Sequence, residues 1–537
     1  MIKKALSSKR LFTGLLCLTM AMVLALGTAF SSANESNSGM QNRAVASSTA
    51  EAALKATATT TKTPKYIFMF IGDGMAAAQV NLAQIYKGNN KHNQISLKEL
   101  SFQDFEAVGY QTTHDATSFA PDSASTATSL SSGFKTWSGT IGLKPVGNKS
   151  GNKPENVNSS NIPQTIAERL KAEKGMKVGI ISTVTINHAT PAAFYAHVPS
   201  RNDYYDIAMQ MAKSNFDYFG GGTINQPTGP KKDQKDAYEV MKQNGYTIAK
   251  TKKDILALNS KSGKVYAITP VVQDSGAMPY AIDNKAGDLT LADFVKKGID
   301  VLDNEKGFFM MTESGKIDWA GHANDAKANI GDVLAFDNAI QVAINFANKH
   351  PDETLIIVTG DHETGGMTIG QATTGYDTAF ELLDHQKMSY VAFDNLINEM
   401  KAKNPKLSFN KVLSVITENF GLVNETTGDI SRKGEPSYMT LELSDREMSK
   451  LKTAFAETMA EEPTDNEETD LLYGGYNPLS VTLTHILNNK AGIGWASYSH
   501  TGVPVPVYAT GAGAELFNGA YENTDVYNKL VKITDLK

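Results

Sequence analysis

Ser123 is the residue of this sequence best suited to act as a covalent nucleophile. It follows Asp122 and begins a run of small residues that ends at Gly133. An Asp before such a run is also typical of a helix start, because its carboxylate accepts hydrogen bonds from free backbone N–H groups. A serine hydroxyl is a poor nucleophile unless a base or a metal favours its alkoxide. Ser123 therefore needs partners from other parts of the chain.

Side chains that suit divalent metals are spread along the sequence. They are Asp73, Thr190, Glu313, Asp318, His322, Asp361, His362 and His500. Zinc prefers histidine nitrogen mixed with carboxylate oxygen, whereas magnesium prefers oxygen alone. Asp318 and His322 would face one metal if the turn between them is helical, although Gly321 also allows a loop. The residue types are suitable for both metals.

Short apolar runs indicate how these side chains are positioned. Four runs have the length of a strand: 66–71, 178–181, 308–311 and 355–358. Such runs are typical of buried strands, and helical segments between them, such as 329–347, predict an α/β fold. Asp73, Glu313 and Asp361 follow three of the runs. Because ligands of open α/β sheets bind outside the carboxyl ends of the strands, we expect these three acids at one site.

The N-terminus has the layout of a secretory signal peptide over residues 1–33. Four basic residues (Lys3, Lys4, Lys9 and Arg10) precede the apolar run 11–30, and small residues follow it. A membrane anchor is the alternative, because the run is nearly long enough to span a bilayer. Removal of the segment is favoured by the small residues at its end. We therefore expect a periplasmic or secreted bacterial protein with no stable membrane span after signal removal.

Charge and cysteine content limit the remaining possibilities. The only cysteine, Cys17, lies inside the apolar run, so a processed chain would have no disulfides. The formal charge of −6 includes four basic residues of the signal, and their loss leaves −6 − 4 = −10. A mildly acidic protein is unlike a nucleic-acid-binding one, so nucleic acid is not expected as the primary partner.

Composition also suggests how the processed chain is organised. Residues 34–64 are rich in Ser, Thr and Ala and predict a flexible leader. Residues 65–537 are expected to form one catalytic domain. Within it, residues from about 370 to 479 differ from the strand-rich core and predict an insertion folded over it. Ser444 and Glu447 have the spacing of a capping box, and the acidic run 461–468 favours a solvated loop over a calcium site.

Several stretches together resemble the bacterial alkaline phosphatases. They are Ile71-Gly72-Asp73-Gly74-Met75, Asp122-Ser123-Ala124 with Thr126-Ala127-Thr128, His188-Ala189-Thr190-Pro191-Ala192, Glu313-Ser314-Gly315-Lys316-Ile317-Asp318 with His322, Thr359-Gly360-Asp361-His362, and Ser499-His500-Thr501-Gly502. They follow one another in the order of that family, from about Lys65 to Phe517. The resemblance implies a central, mostly parallel sheet flanked by helices, with a large insertion over the active-site side.

The resemblance also implies a role for each matching residue. Asp318, His322 and His500 would hold one zinc; Asp73, Asp361 and His362 would hold a second, with Ser123 as its substrate-facing ligand; Asp73, Thr190 and Glu313 would hold a magnesium. Arg201 matches the arginine that clamps phosphate. The expected activity is hydrolysis of phosphate monoesters through a phosphoserine, in a homodimer with two Zn²⁺ and one Mg²⁺ per chain.

His188 and Trp319 are the positions at which members of the family differ. Some members carry Asp and Lys there, and others carry His and Trp, as this chain does. We expect both side chains in the outer shell of the third metal, whose identity stays open. Because a metal would activate Ser123, we expect no histidine base beside its hydroxyl.

Two other functions are compatible with parts of the pattern. A phosphodiesterase could share the two-metal sheet, but it would tend to lack an arginine such as Arg201. A non-catalytic metal-binding envelope protein would explain export and the metal ligands, but not Ser123 together with Arg201. A sulfatase is disfavoured because the residues after Ser123 lack the Pro and Arg that its modified nucleophile needs.

Overall fold

The computed structural model describes residues 63–88, 95–145, 161–424, 440–461, 464 and 466–537. The predicted signal peptide and nearly all of the predicted leader lie outside these residues. Part of the acidic run 461–468 also lies outside them. Within the described residues, no helix combines the length and the apolar character needed to cross a membrane.

A ten-stranded sheet forms the centre of the described chain. Its strands, in spatial order, are β16 (Gly519–Glu522), β2 (Ala107–Thr112), β15 (Val505–Gly511), β8 (Thr354–Gly360), β1 (Tyr66–Gly72), β7 (Phe308–Ser314), β3 (Lys177–Ser182), β4 (Tyr218–Gly221), β6 (Lys264–Ile268) and β5 (Tyr246–Ala249). Only the pairs that β15 makes with β2 and β8 are antiparallel. The expected mostly parallel sheet is therefore confirmed, and all four apolar runs lie in its strands.

Helices cover both faces of the sheet. They are α1 (Ala77–Gly88), α2 (Ser123–Ser132), α3 (Ile166–Arg169), α4 (Ala189–Ala192), α5 (Tyr204–Lys213), α6 (Ala237–Gln243), α7 (Lys252–Leu256), α8 (Leu291–Leu302), α9 (Lys316–His322), α10 (Ala326–Ala347) and α16 (Thr524–Ile533). The predicted helix 329–347 lies within α10. A helix starts there because Asp325 accepts a hydrogen bond from the backbone N–H of Ala328.

Alternate side chains of β1 point into two different cores. Ile67, Met69 and Ile71 contribute to one core, and Phe68 and Phe70 to the other. All five are fully buried. The strand is apolar throughout because helices cover it on both faces. Complete burial of each such side chain contributes about 1.5–3 kcal/mol, which fixes β1 in the middle of the sheet.

The described residues between 380 and 491 form a helical layer. It contains α11 (Tyr390–Lys403), α12 (Phe409–Phe420), α13 (Asp445–Met459), α14 (Glu467–Tyr473) and α15 (Pro478–Ala491), with short strands β11 (Val423–Asn424) and β12 (Glu442–Leu443). Helices α11, α12, α13 and α15 share a core to which Leu82 of α1 and Ala326 and Ile330 of α10 also contribute. The predicted capping box is confirmed: Ser444 and Glu447 bond reciprocally at the start of α13.

Four further two-residue strands form two antiparallel pairs. The strand β10 (Thr368–Ile369) pairs with β13 (Ile493–Gly494), and β9 (Glu363–Thr364) pairs with β14 (His500–Thr501). This pairing brings the segment that carries His500 to the segment that carries Asp361 and His362.

Candidate active site

Ser123 is the first residue of α2, and Asp122 is its N-cap. The Asp122 carboxylate accepts a hydrogen bond from the backbone N–H of Ser125 at 3.1 Å. Every residue of this helix is buried, which explains why the segment contains mainly Ser, Thr and Ala. The predicted helix start is thus confirmed, and the N-terminal N–H groups of α2 form a suitable place for an anion beside Ser123.

The three acids that follow central strands lie at adjacent strand ends. In the parallel pairs, Ile71 is opposite both Glu313 of β7 and Thr359 of β8. Asp73 and Asp361 therefore leave the sheet side by side, and the backbone N–H of Gly74 donates to an Asp361 oxygen at 3.2 Å. The expectation that these acids share one edge of the sheet is confirmed.

Three side chains, Ser123, Asp73 and Asp361, converge on the His362 imidazole. The His362 Nε2 atom lies 3.2 Å from Ser123 Oγ, 3.3 Å from an Asp73 oxygen and 3.4 Å from an Asp361 oxygen. His362 is one of the predicted zinc ligands, so the expectation that Ser123 has no histidine base stays a prediction. One ring nitrogen cannot serve three oxygens by hydrogen bonds alone, whereas a cation bound among them would be coordinated by all four groups.

A second group of ligand atoms involves Asp318, His322 and His500. An Asp318 oxygen lies 3.4 Å from His322 Nε2 and 3.5 Å from His500 Nε2, and the two Nε2 atoms are 3.1 Å apart. Of the two possibilities that the sequence left open, the structure has the helical turn, α9, and it brings Asp318 and His322 together. Asp318 also groups with Asp73 and His362 within the same short range of ligand atoms, so it lies between the two centres.

Backbone carbonyls fix the orientation of both imidazoles in this group. His322 Nδ1 lies 2.6 Å from the carbonyl oxygen of Tyr498, and His500 Nδ1 lies 2.5 Å from that of Pro121. When Nδ1–H donates to a carbonyl, Nε2 carries the lone pair that binds a metal. Pro121 is two residues before Ser123, so His500 is oriented by the nucleophile segment itself.

Thr190 and Glu313 adjoin Asp73. Thr190 Oγ1 donates to Asp73 Oδ2 at 3.3 Å, and Ser182 Oγ donates to a Glu313 oxygen. Among the described residues, Asp73 Oδ1 and Glu313 Oε1 are buried and accept no hydrogen bond. Sequence reasoning missed Ser182, which only the register of β3 with β7 brings to Glu313.

His188 and Trp319 adjoin this group. Their rings lie 5.8 Å apart in a T-shaped arrangement. His188 Nδ1 is buried, and it has no hydrogen-bond partner within the described part of the chain. Burial, followed by the charge of Arg201, lowers the pKa of His188 to about 3, so the ring is neutral. The sequence placed these two residues near the third metal site, and the structure places them beside each other.

The buried acids of the site repel one another. Burial, together with neighbouring carboxylates, raises the pKa of Asp361 to about 7 and that of Asp73 well above its usual value. Burial likewise raises the pKa of Glu313 to about 7. Buried carboxylates with unpartnered oxygens need a compensating positive charge. The residues present therefore fit divalent cations, and histidine nitrogens on one side with only oxygens on the other fit two different metals.

Arg201 reaches the nucleophile segment through a contact that the sequence did not indicate. Its Nη1 atom donates to Asp122 Oδ2 at 2.9 Å. The other Asp122 oxygen accepts the backbone N–H of Gly139 at 2.9 Å, and the backbone N–H of Arg201 donates to the carbonyl of Gly139 at 2.7 Å. Asp122 thus positions Arg201 and caps α2 at the same time. No sequence signal links residues 79 positions apart.

Comparisons with known proteins agree with this geometry. The family model described as alkaline phosphatase matches residues 64–536. Alkaline phosphatase 4 of Bacillus subtilis is 31% identical over 478 residues, which cover 87% of this chain and 88% of that protein. A cold-active alkaline phosphatase of Shewanella sp. has a similar structure, with a TM-score of 0.68 and 26% identity over 87% of this chain and 99% of that one.

A further structure carries a metal. It is a variant of the TAB5 alkaline phosphatase with Mg bound in its M3 site, and it matches with a TM-score of 0.58 and 25% identity over 89% of this chain and 99% of that chain.

Proposed function

Since this chain belongs to the alkaline phosphatase family, a family of metal-dependent phosphomonoesterases, we propose that it releases inorganic phosphate from monoesters through a phosphoserine at Ser123. The observation that carries the proposal is the convergence of Ser123, Asp73 and Asp361 on the His362 imidazole, with Ser123 at the N-terminus of a helix. A serine in an anion-binding position with metal ligands around its hydroxyl is suited to attack a phosphate ester.

The proposed ligands are those that the sequence predicted. Asp318, His322 and His500 hold one zinc; Asp73, Asp361 and His362 hold the second, beside Ser123; Asp73, Thr190 and Glu313 hold a magnesium, with His188 and Trp319 outside that shell. When bound, two such zinc ions stabilise negative charge on the attacking and leaving oxygens of a displacement. The Mg-bound TAB5 structure supports the assignment of magnesium to the oxygen-rich group.

Arg201 and α2 bind the phosphate. The guanidinium of Arg201 presents a planar fork of N–H donors that fits two phosphate oxygens. Its contact with Asp122 holds this fork beside Ser123. The free N–H groups of the first turn of α2 favour the same negative charge. The substrate is thereby oriented with its phosphorus toward Ser123 Oγ and its organic group directed away from the helix.

The reaction then takes place in two displacements on phosphorus. Ser123 Oγ forms a bond to phosphorus while the ester bond breaks, and the proton that the Ser123 hydroxyl loses leaves with the alcohol. Water next forms a bond to phosphorus while the bond to Ser123 Oγ breaks, which regenerates the hydroxyl. His362 is neutral, because burial and the nearby His500 lower its pKa well below the usual value. Its Nε2 faces two carboxylate oxygens as well as Ser123, so we assign it to metal binding rather than to general base catalysis.

The remaining parts of the proposal concern the whole chain. Residues 1–33 would direct export to the periplasm or the medium, 34–64 would form a leader, and 65–537 would form the catalytic domain. The predicted insertion from about 370 to 479 would limit access to the site. A homodimer is the proposed assembly, as the family resemblance implies.

Relative rates on two model substrates test the proposed function. Purified zinc- and magnesium-loaded protein should hydrolyse 4-nitrophenyl phosphate much faster than bis(4-nitrophenyl) phosphate, because a diester lacks the third charged oxygen that Arg201 and α2 bind. A chelator should abolish the activity, and added zinc should restore it. A faster diester reaction would instead support the phosphodiesterase alternative, and activity that survives complete metal removal would refute the metal-dependent mechanism.

A further inference from the structure

Glu363 is a buried acid that directly follows the proposed ligands Asp361 and His362 but faces away from both centres. Its side chain is 2% exposed. One oxygen accepts the backbone N–H of Met367 at 3.1 Å and the Gln79 amide at 2.7 Å. The other accepts the backbone N–H of Gly366 at 3.0 Å and Thr501 Oγ1 at 2.5 Å. An ionised carboxylate offers about four lone-pair positions, so these four donors use all of them.

Gln79, at the start of α1, connects this carboxylate to the segment that carries Asp73. Its amide oxygen accepts the backbone N–H of Ala76 at 3.0 Å, and its amide nitrogen donates to Glu363 and, at 3.3 Å, to the carbonyl of Thr364. Gln79 is fully buried. Its amide is therefore held from both sides and cannot rotate without leaving a buried polar atom unpaired, at a cost of about 1–3 kcal/mol.

Thr501 connects the same carboxylate to His500. Thr501 and His500 form β14, which pairs in the antiparallel sense with Glu363 and Thr364 of β9. A two-residue ladder fixes its partner weakly by itself, because few hydrogen bonds hold it. The hydroxyl of Thr501 adds a charge-assisted bond to Glu363 across this ladder, and such bonds are roughly twice as strong as neutral ones.

We propose that Gln79, Glu363 and Thr501 form a positioning network that holds His500 where it completes the metal centre that it shares with Asp318 and His322. None of the three is among the proposed metal ligands. The network joins three chain segments that are far apart in sequence and that each carry proposed ligands. This inference rests on the proposed function, because it assumes that those residues bind metal.

Thr501→Val tests the network with the smallest change. Valine keeps the shape and the backbone pairing of β14 but removes the hydroxyl donor. We expect one zinc ion, the one bound by His500, to bind about 10–100-fold more weakly, the range typical of lost outer-shell partners, while the other keeps its affinity. Zinc affinities are measured by titrating metal-free protein against a chelating indicator, without any assay of activity. Unchanged binding, or an equal loss at both centres, would overturn the inference.

Thr368→Val is the matched control. Thr368 also lies in a two-residue strand, and its hydroxyl donates only to the nearby carbonyl of Gly370 at 3.2 Å. The Thr368→Val protein should bind both zinc ions with the same affinities as the unchanged protein. If Thr368→Val loses affinity as strongly as Thr501→Val, the effect is not specific to the network and the inference fails.

Glu363→Gln gives a second, independent test. It keeps the shape of the side chain but places an amide nitrogen against the N–H and O–H donors of the network, so the zinc ion bound by His500 should bind more weakly while the other keeps its affinity. Unchanged zinc binding in Glu363→Gln would contradict the network. If the unchanged protein itself binds fewer than two zinc ions, the proposed function fails instead.

Discussion

At the scale of single residues, Asp122 has two tasks that a sequence motif cannot separate. One oxygen caps α2 and holds Gly139, and the other binds Arg201. Burial opposes ionisation of Asp122, but Arg201 and these N–H donors together lower its pKa. The acid before the nucleophile is therefore charged at neutral pH and positions the phosphate-binding arginine.

Asp122→Asn should separate the two tasks. Asparagine is as good an N-cap as aspartate, so α2 should stay intact, whereas the charged contact with Arg201 is lost. We expect the inhibition constant of inorganic phosphate to rise about 3–10-fold, which corresponds to about 0.7–1.4 kcal/mol and to the loss of one typical hydrogen bond. The constant is measured by competitive inhibition of monoester hydrolysis. Phosphate that binds as tightly as before would show that Arg201 does not need Asp122.

The buried carboxylates predict how pH affects the metal-free protein. An unfolded chain loses its carboxyl protons near pH 4, whereas Glu313 and Asp361 lose theirs at about pH 7 in the folded state. Histidines with a lowered pKa are uncharged in both states above about pH 6.5. From there to about pH 7.5 the folded state binds more protons than the unfolded one, so the free energy of unfolding should fall as pH rises. At higher pH, Lys316 and Lys529, whose pKa burial lowers to about 8, act in the opposite direction.

Thermal unfolding of chelated protein at about pH 6.5 and about pH 7.5 measures this effect. The midpoint should be lower at the higher pH, and Glu313→Gln should reduce the difference because it removes one of the groups. A midpoint that rises with pH would mean that these carboxylates do not repel one another as the geometry indicates.

At the scale of elements, the C-terminus of α2 depends on one residue, Gly133, as its N-terminus depends on Asp122. Gly133, its C-cap, has φ of 73°, and its N–H donates to the carbonyl of Ser129. A Cβ atom at this position would lie 2.5 Å from the ring of Tyr527 in α16. The helix therefore needs glycine here both for its left-handed backbone and for the approach of a second helix.

Gly133→Ala should destabilise the protein by about 1–3 kcal/mol, of which about 1 kcal/mol reflects the left-handed backbone. Gly263→Ala is the control, because Gly263 has φ of 70° but an added Cβ would meet no atom within 4 Å. Urea unfolding of both variants measures the loss. The difference between them reports the contact with Tyr527, and equal losses would show that this contact costs nothing.

The elements that the sequence predicted well are those with a strong local signal. The apolar runs of β1, β3, β7 and β8, the long helix α10 and the capping box at Ser444 all appear as expected. The antiparallel strand β15 was not predicted, although it lies between β2 and β8 near the site. Its place depends on which strand edges remain free after the others have paired, and local patterns do not contain that information.

At the scale of the whole molecule, the site is assembled from segments spread over more than 400 residues, from Asp73 to His500. The strand ends indicated that Asp73, Glu313 and Asp361 meet, because parallel strands end at one edge, and the family resemblance implied the other ligands. Neither indicated that Ser182 binds Glu313 or that Asp122 binds Arg201. Those contacts depend on strand register and on loop conformation, which are set by packing of distant elements.

Metal binding should stabilise this assembly as a whole. Ligands from distant segments come together only in the folded chain, so zinc binds the folded state in preference to the unfolded one. Free zinc at about 100 times its dissociation constant should add about 2.7 kcal/mol to the free energy of unfolding for one site. Thermal unfolding with and without a chelator measures the change. Identical midpoints would argue against metal sites built from these segments.

The central claim, that Ser123 is the nucleophile of a phosphomonoesterase, is tested most directly by locating the phosphate during turnover. Metal-loaded protein is mixed with 4-nitrophenyl phosphate, quenched within milliseconds in acid, and digested for mass spectrometry. We expect one phosphate on Ser123, and none in Ser123→Ala, which should also lose turnover. A phosphate on any other residue, or turnover by Ser123→Ala at the original rate, would contradict the account.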